Sequence, residues 1–317
     1  MAVNTKAIKR RIKSVGSTRK ITKAMEMVSA AKMRNAVRAA LNTRTYAQMA
    51  WDLLVNLSHE KEVKNPLLDV RPVKKLLLIL VTSSRGFCGA FNSNIIKKTA
   101  EQLKDPRNIS RHRLAGKVVE PADQVSVDVI SIGKKGSDFC KKMNYNLIAS
   151  YNDFSETPAL KDVTDIIKMI NADYEAKKYD KVVIAYTDFK SAINQIPKLR
   201  QVLPISEVDL EKMISDLDEA EKSTDVKPEV NLEGYLFEPN KEEVLSIILP
   251  RLVETQVYQA LLESSASEFS ARMVAMRNAS DAATDMIKNL NLNYNKARQA
   301  GITQEIAEIA GGAAALE

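Results

Sequence analysis

The stretch SSRGFCGAFN, Ser83–Asn92, gathers hydroxyls, a thiol and two glycines into one turn. It follows an aliphatic run and precedes a segment of helical spacing, and a turn of that kind can aim backbone N–H groups at a phosphate. The spacing matches neither G-x-x-x-x-G-K-[ST] nor G-x-G-x-x-G, and no acid closes the second strand where a ribose would need one. Gly86 and Gly89 are therefore read as permitting a tight strand-to-helix turn, and GKKG, Gly133–Gly136, is read the same way. Cys88 would need a base to act as a nucleophile. The chain has only His59 and His112, neither in a recognisable motif, and the same shortage of ligands argues against a metal centre. No catalytic, cofactor-binding or metal-ligating residue is assigned, and no cofactor is expected. Cys88 and Cys140 give no disulfide framework, which fits a reducing compartment.

Two long helices are needed to position anything else. In the C-terminal stretch, Leu262, Ala266, Phe269, Met273, Met276, Ser280, Ala283, Ile287, Leu290, Tyr294 and Ala297 alternate steps of four and three. That is a heptad seam, which calls for a partner helix and a left-handed supercoil. No proline or glycine lies between Pro250 and Gly301, so a rod of roughly 75 Å is allowed. From Asn4 to Leu57 there is no proline and only Gly16 as glycine. Ile8, Ile12, Val15, Ile21, Met25, Val28, Leu41, Met49, Leu53 and Leu57 keep helical spacing, with the four-three alternation slipping between Val15 and Ile21. Small residues, among them Ala24, Ser29, Ala36 and Ala40, would let a partner backbone approach. The two ends of the chain are expected to pair as an antiparallel coiled coil; the alternative is that each helix covers a separate core.

Between them the period changes. Lys75–Thr82, Val125–Ile132, Leu147–Tyr151 and Lys181–Thr187 read as strands, alternating with helices over Asn92–Leu103, Lys135–Met143 and Ala159–Lys177. This predicts a Rossmann-like α/β domain with a mostly parallel sheet covered on both faces. The expected division is a helix over 1–60, a globular foot over 73–240 and a second helix over 241–317. Within the foot, 105–123 reads as a surface-loop insertion with room for a short hairpin. Residues 206–240 read as an acidic excursion, and Tyr235–Pro239 (YLFEP) as a last strand.

The net charge of +7 is unevenly spread: residues 1–50 hold twelve Lys and Arg against Glu26 alone. Nucleic acid, anionic lipid and an acidic protein surface are all open as partners of that segment. No aromatic residue precedes Tyr46, and no nucleic-acid-binding motif is present, which favours an acidic protein. The longest aliphatic run, Leu76–Val81, is far short of a membrane span. Two rivals to a structural role remain: a nucleotide-binding α/β enzyme with coiled-coil arms, and a basic coiled-coil nucleic-acid binder.

KITKAMEMVSAAKM (Lys20–Met33), ARMVAMRNASDAA (Ala271–Ala283) and NKARQAGITQEIAEIAGGAAAL (Asn295–Leu316) closely resemble the gamma subunit of the bacterial F-type ATP synthase. TSSRGFCGAFNSN (Thr82–Asn94) and IGKKG (Ile132–Gly136) are similar as well, and QIPKLRQVLPI (Gln195–Ile205) more loosely. The resemblance implies a central-stalk rotor shaft that transmits torque between ion flow through the membrane rotor ring and ATP synthesis or hydrolysis in surrounding subunits, without being catalytic itself. It implies as partners the alpha and beta subunits of the head, the epsilon subunit and the ring of c subunits. No nucleic acid and no direct membrane insertion are expected, and the place is peripheral, on the cytoplasmic face of the inner membrane. By position in the motifs, Met25 would face a loop of the catalytic subunit, with Lys20 and Lys23 supplying positive charge. Arg298, Gln299 and Thr303 would make polar contacts to an acidic loop. Arg272 and Glu268 lie one turn apart, a spacing at which a local i, i+4 pair can form, worth only a few tenths of a kcal/mol on an exposed face. Two serines, Ser83 and Ser84, stand where the family commonly has an acid. The cysteine pair of plastid members is missing, so no thiol switch is expected.

Overall fold

The computed structural model describes residues 5–58, 65–114, 117–152, 158–205 and 240–314. The acidic stretch 206–239, with its expected strand at Tyr235–Pro239, and His59 lie outside the described residues. The chain divides into two compact units, one formed by Met1–Ala30 with Arg272–Glu317 and the other by Ala31–Ala271.

The second unit is built on a five-stranded sheet of order β5-β4-β1-β6-β7. Its strands are β1 (Lys75–Val81), β4 (Ser126–Ile132), β5 (Asn146–Tyr151), β6 (Lys181–Phe189) and β7 (Gln195–Leu203). β1 pairs in parallel with both β4 and β6, β4 with β5, and only β7 runs antiparallel, on β6. Strand β7 is absent from the sequence reading because Pro197 interrupts its donors. The strand survives because it lies at the edge of the sheet, where a missing N–H costs no ladder on the outer side. The 105–123 segment holds helix α3 (Pro106–Ser110), capped by Asp105, and a two-stranded hairpin of β2 (His112–Leu114) and β3 (Lys117–Val119).

Period two on β1 sorts its side chains. Leu77, Ile79 and Val81 join one core with α5 (Leu160–Glu175) and with Leu245, Leu249, Leu252, Val253 and Val257 of the C-terminal helix α6 (Lys241–Ala314). Leu76, Leu78 and Leu80 join the other, with Ile95 and Leu103 of α2 (Phe91–Leu103) and Cys140 of α4 (Lys134–Lys142). A strand buried on both faces needs an unbroken aliphatic run, which is why KLLLILV is so legible. At the opposite end from the glycine turns, Asp180 ties the sheet edge together. It accepts from the Lys74 and Lys75 N–H groups at 2.9 and 3.0 Å and from Arg71 Nε at 2.7 Å, while Arg71 stacks on the Tyr174 ring.

Helix α1 (Thr5–Ser58) and α6 meet in both units. In the second unit, Ala36, Leu262, Ala266 and Phe269 are buried, and Lys32 Nζ lies 5.4 Å from the centre of the Phe269 ring. In the first, the α6 seam is buried or half-buried at every position from Met273 to Ala297, with exposed residues between. The unit ends at Ala30 on one helix and Arg272 on the other, and counting away from that level the covered positions match. Thr22 and Ser280 are both eight residues away, Val15 and Ile287 fifteen, Ile12 and Leu290 eighteen, Ile8 and Tyr294 twenty-two, and Thr5 and Ala297 twenty-five. Two stripes that keep step in opposite chain directions are those of an antiparallel pair.

This register corrects the slip expected after Val15. Ile21 is 60% exposed, whereas its neighbour Thr22 is 8% exposed, and Ser29, a heptad further on, is buried too. After Ile8, Ile12 and Val15 the covered stripe on α1 continues through the polar Thr22 and Ser29, seven and fourteen residues past Val15, while Ile21 and Val28 point away. Arg272 is buried, at 7% exposure, so it does not stand on an open helix face.

Candidate partner interface

The glycine turns were the sharpest chemical candidate, and several of their polar groups bind one another. Asn92 Oδ1 accepts from Ser83 N–H at 3.0 Å, Asn92 Nδ2 donates to Ser83 Oγ at 2.7 Å and to Cys88 Sγ at 3.2 Å, and Gly136 N–H donates to Thr82 Oγ1 at 2.8 Å. Lys135 N–H, at the start of α4, donates to Ser83 O. The N–H groups of Ser83, Lys135 and Gly136 thus bind the end of β1 to α2 and α4. Gly133 is required there: a Cβ would stand 2.1 Å from Thr82 O, and its φ is +96°. Cys88 is buried against Ser83 and Asn92, and burial pushes the Cys140 thiol up to about 11, far from a reactive thiolate. Among the described residues no group of His, Cys, Asp and Glu is placed to hold a metal ion.

Surface features of the first unit remain. On α1, Lys6, Lys9, Arg10, Arg11, Lys13, Arg19, Lys20 and Lys23 are all exposed, and its first turn has no acid. Cations at a helix N-terminus oppose the helix dipole, so this arrangement costs the isolated helix stability. Beside them Ile21, Met27 and Val28 are exposed at 60, 61 and 55%. Lys23 turns back on its own helix and pairs with Glu26 at 3.0 Å. Met25 is half-buried in the stripe, and its carbonyl accepts from Ser29 Oγ at 2.7 Å.

Arg298, Gln299 and Thr303 are exposed on α6, and Thr303 Oγ1 donates to Gln299 O at 2.9 Å. They follow Ala297, the last covered seam position opposite the start of α1. Every described residue from Arg298 to Gly312 is exposed, including Ile302, Ile306 and Ile309 at 48, 61 and 74%. The structure thus brings Lys20, Lys23 and Met25 together on one helix and Arg298, Gln299 and Thr303 on the other. It does not bring the two groups together: Lys23 is seven residues from the Ala30 level and Arg298 twenty-six from the Arg272 level, about 28 Å apart along the pair at 1.5 Å per residue. Ile21, Met27 and Val28 escaped the sequence reading because apolar residues at helical spacing are assigned to the covered side.

A sheet domain without a recognisable ligand motif, in a chain whose long paired helices carry exposed basic and apolar side chains, is the architecture of a protein that works by contact with other chains. The ATP synthase family model matches residues 4–316. The ATP synthase gamma chain of Herpetosiphon aurantiacus is 42% identical over 322 residues, and that of Chloroflexus aurantiacus 39% over 318, each alignment covering 99% of both chains. The chain belongs to the family of ATP synthase gamma chains.

Solved structures agree in fold. A chain of the Tetrahymena thermophila mitochondrial ATP synthase central stalk and c-ring matches with a TM-score of 0.55 at 25% identity, covering 82% of this chain and 99% of that one. A chain of the Euglena gracilis mitochondrial assembly of OSCP, F1 and c-ring matches with a TM-score of 0.62 at 20% identity, covering 98% and 94%. Among the described residues, no helix is long and apolar enough to cross a membrane.

Proposed function

We propose that this chain is the non-catalytic central-stalk subunit of an F-type ATP synthase, with residues 1–60 and 241–317 as the shaft and 73–240 as the foot. The shaft sits among alpha and beta subunits, the foot on epsilon and the c-ring, and the whole is peripheral on the cytoplasmic face of the membrane. The observation that carries the reading is the run of α6 beyond Ala297, where every described residue is exposed, Ile302, Ile306 and Ile309 among them. A bare apolar stripe on a helix is stabilised by a surrounding surface. Basic side chains along α1 suit an acidic loop, and an asymmetric rod that touches three surrounding sites differently biases each toward a different state.

Within this reading Lys20, Lys23 and Met25 meet one part of the catalytic subunit, and Arg298, Gln299 and Thr303 another. Arg298 offers a bidentate fork to a carboxylate. The test is co-purification followed by coupling: the chain should elute with alpha and beta subunits as one copy to three and three. Arg298→Ala with Gln299→Ala should then lower coupled ATP synthesis several-fold while leaving the isolated chain's melting nearly unchanged. Failure to co-purify would overturn the assignment to a central stalk, and unimpaired coupling would overturn the contact residues.

A further inference from the structure

Helix α6 lies on the antiparallel pair of β6 and β7, where Ser267 Oγ donates to Thr187 O at 3.1 Å and Ser270 Oγ to Ala192 O at 2.6 Å, and the core there encloses charges that burial alone does not require. Glu263 of α6 is 6% exposed among Leu261, Leu262 and Ser264, all buried. Gln259, one turn earlier, donates from Nε2 to Glu263 Oε1 at 3.0 Å. Oε2 makes no well-formed hydrogen bond. The Tyr186 hydroxyl and the Arg200 guanidinium are near enough to favour charge there, and Asp188 near enough to oppose it. Asp188 is held by Lys198 at 2.8 Å and Lys190 at 3.8 Å, and Arg200 lies 5.5 Å from the centre of the Tyr186 ring. Thus β6 contributes Tyr186 and Asp188, β7 Lys198 and Arg200, the turn between them Lys190, and α6 Glu263 and Gln259.

An ionised carboxylate there has lost its water and meets a second carboxylate. Burial first and Asp188 second push Glu263 up to about 7, against Arg200, Gln259 and Tyr186, which favour the charged form. The neutral acid has no such cost and gains an O–H donor.

We propose that Glu263 is a proton-binding latch: buried and neutral, it lets α6 stay packed on the β6–β7 hairpin, and ionised, it loosens that packing, because the charge cannot be kept out of water there without cost. Its sign follows from linkage. A group held higher in the folded state contributes stability in full below its unfolded value near 4.3, and the contribution is lost as pH rises through the folded value.

Amide hydrogen exchange of the full chain tests this, with rates corrected for intrinsic chemistry and followed from about pH 5.5 to about pH 8.5. Opening over Lys181–Leu203 and Leu252–Ala271 should rise with pH by up to about tenfold per unit while the closed form keeps its proton and the open form does not, and level off above about pH 7, once Glu263 is ionised in both. In Glu263→Gln the rise should vanish, and in Asp188→Asn it should level off at lower pH, because the like charge no longer holds the folded value up. Should either variant fail to fold, infrared titration of the wild-type chain decides: a buried carboxyl C=O band should be lost with a midpoint near neutrality. Exchange that is independent of pH, a rise that persists unchanged in Glu263→Gln, or a carboxyl already ionised below about pH 5 would each overturn the latch.

Discussion

The sheet and the paired helices of the first unit bury their contacts in opposite ways. In the sheet, Leu76, Leu78, Ile79 and Leu80 are wholly enclosed, and both faces are filled by aliphatic side chains. In the helix pair, the covered positions include Thr22, Ser29, Ser280 and Ala283, which have little apolar surface to remove from water. Shape complementarity specifies the first; the second relies on period, a narrow stripe repeated over many turns. A mutation should therefore be judged in the sheet by volume and in the pair by which side of the helix it lies on.

Glycine shows the contrast at its largest. At Gly133 a Cβ would meet Thr82 O at 2.1 Å with φ at +96°, whereas at Gly16 in α1 nothing lies within 4 Å. Gly133→Ala should cost about 3 kcal/mol or more, from positive-φ strain together with overpacking, read as a lowered urea midpoint. Gly16→Ala should instead stabilise by about 0.5–1 kcal/mol, since it adds a good helix former in open space. Equal effects at the two sites would abolish the distinction.

Asp180 gives the next largest effect and adds a pH dependence. Burial pushes its carboxyl up, but the N–H bonds from Lys74 and Lys75 together with Arg71 outweigh burial and hold it below the ordinary range. Its folded value is lowered, so its contribution is present above the unfolded value near 3.9 and lost as pH falls through the folded one. Asp180→Asn should cost about 1–3 kcal/mol at neutral pH and remove part of the acid-limb slope in denaturation curves. An acid limb unchanged in the variant would mean that the carboxylate is not what holds Arg71 and the two N–H groups.

How much could be read beforehand follows from the same contrast. β1 and the α6 seam were legible because apolar side chains mark the buried positions themselves, in runs or at heptad spacing. The α1 stripe was misread because its covered positions are Thr22 and Ser29 while Ile21 and Val28 face outward, so following hydrophobicity produced a slip that the helix does not have. β7 was hidden by Pro197 and by a half-buried pattern without alternation. The Glu263 cluster has no local signature, since Asp188, Arg200 and Glu263 come together only when the hairpin packs on α6. Of the proposed interface, the motif residues were named from the resemblance alone, and the outward apolar group beside Lys20 and Lys23 became visible only in the folded helix.

The smallest effect is the most discriminating for the helix pair. Ile21→Asp and Thr22→Asp place the same residue one position apart in the same helix, so propensity and dipole terms nearly cancel between them. Thr22 is covered, and an aspartate there must bury charge or splay the pair, costing about 1–2 kcal/mol in thermal melts of the full chain followed by helical circular dichroism. Ile21 is mostly exposed, and its replacement should fall within about 0.5 kcal/mol of the cost of introducing aspartate at any open helix site. If the stripe instead followed the apolar residues, the order would reverse and Ile21→Asp would be the damaging change. The assigned register therefore stands or falls on which of two adjacent residues tolerates a charge.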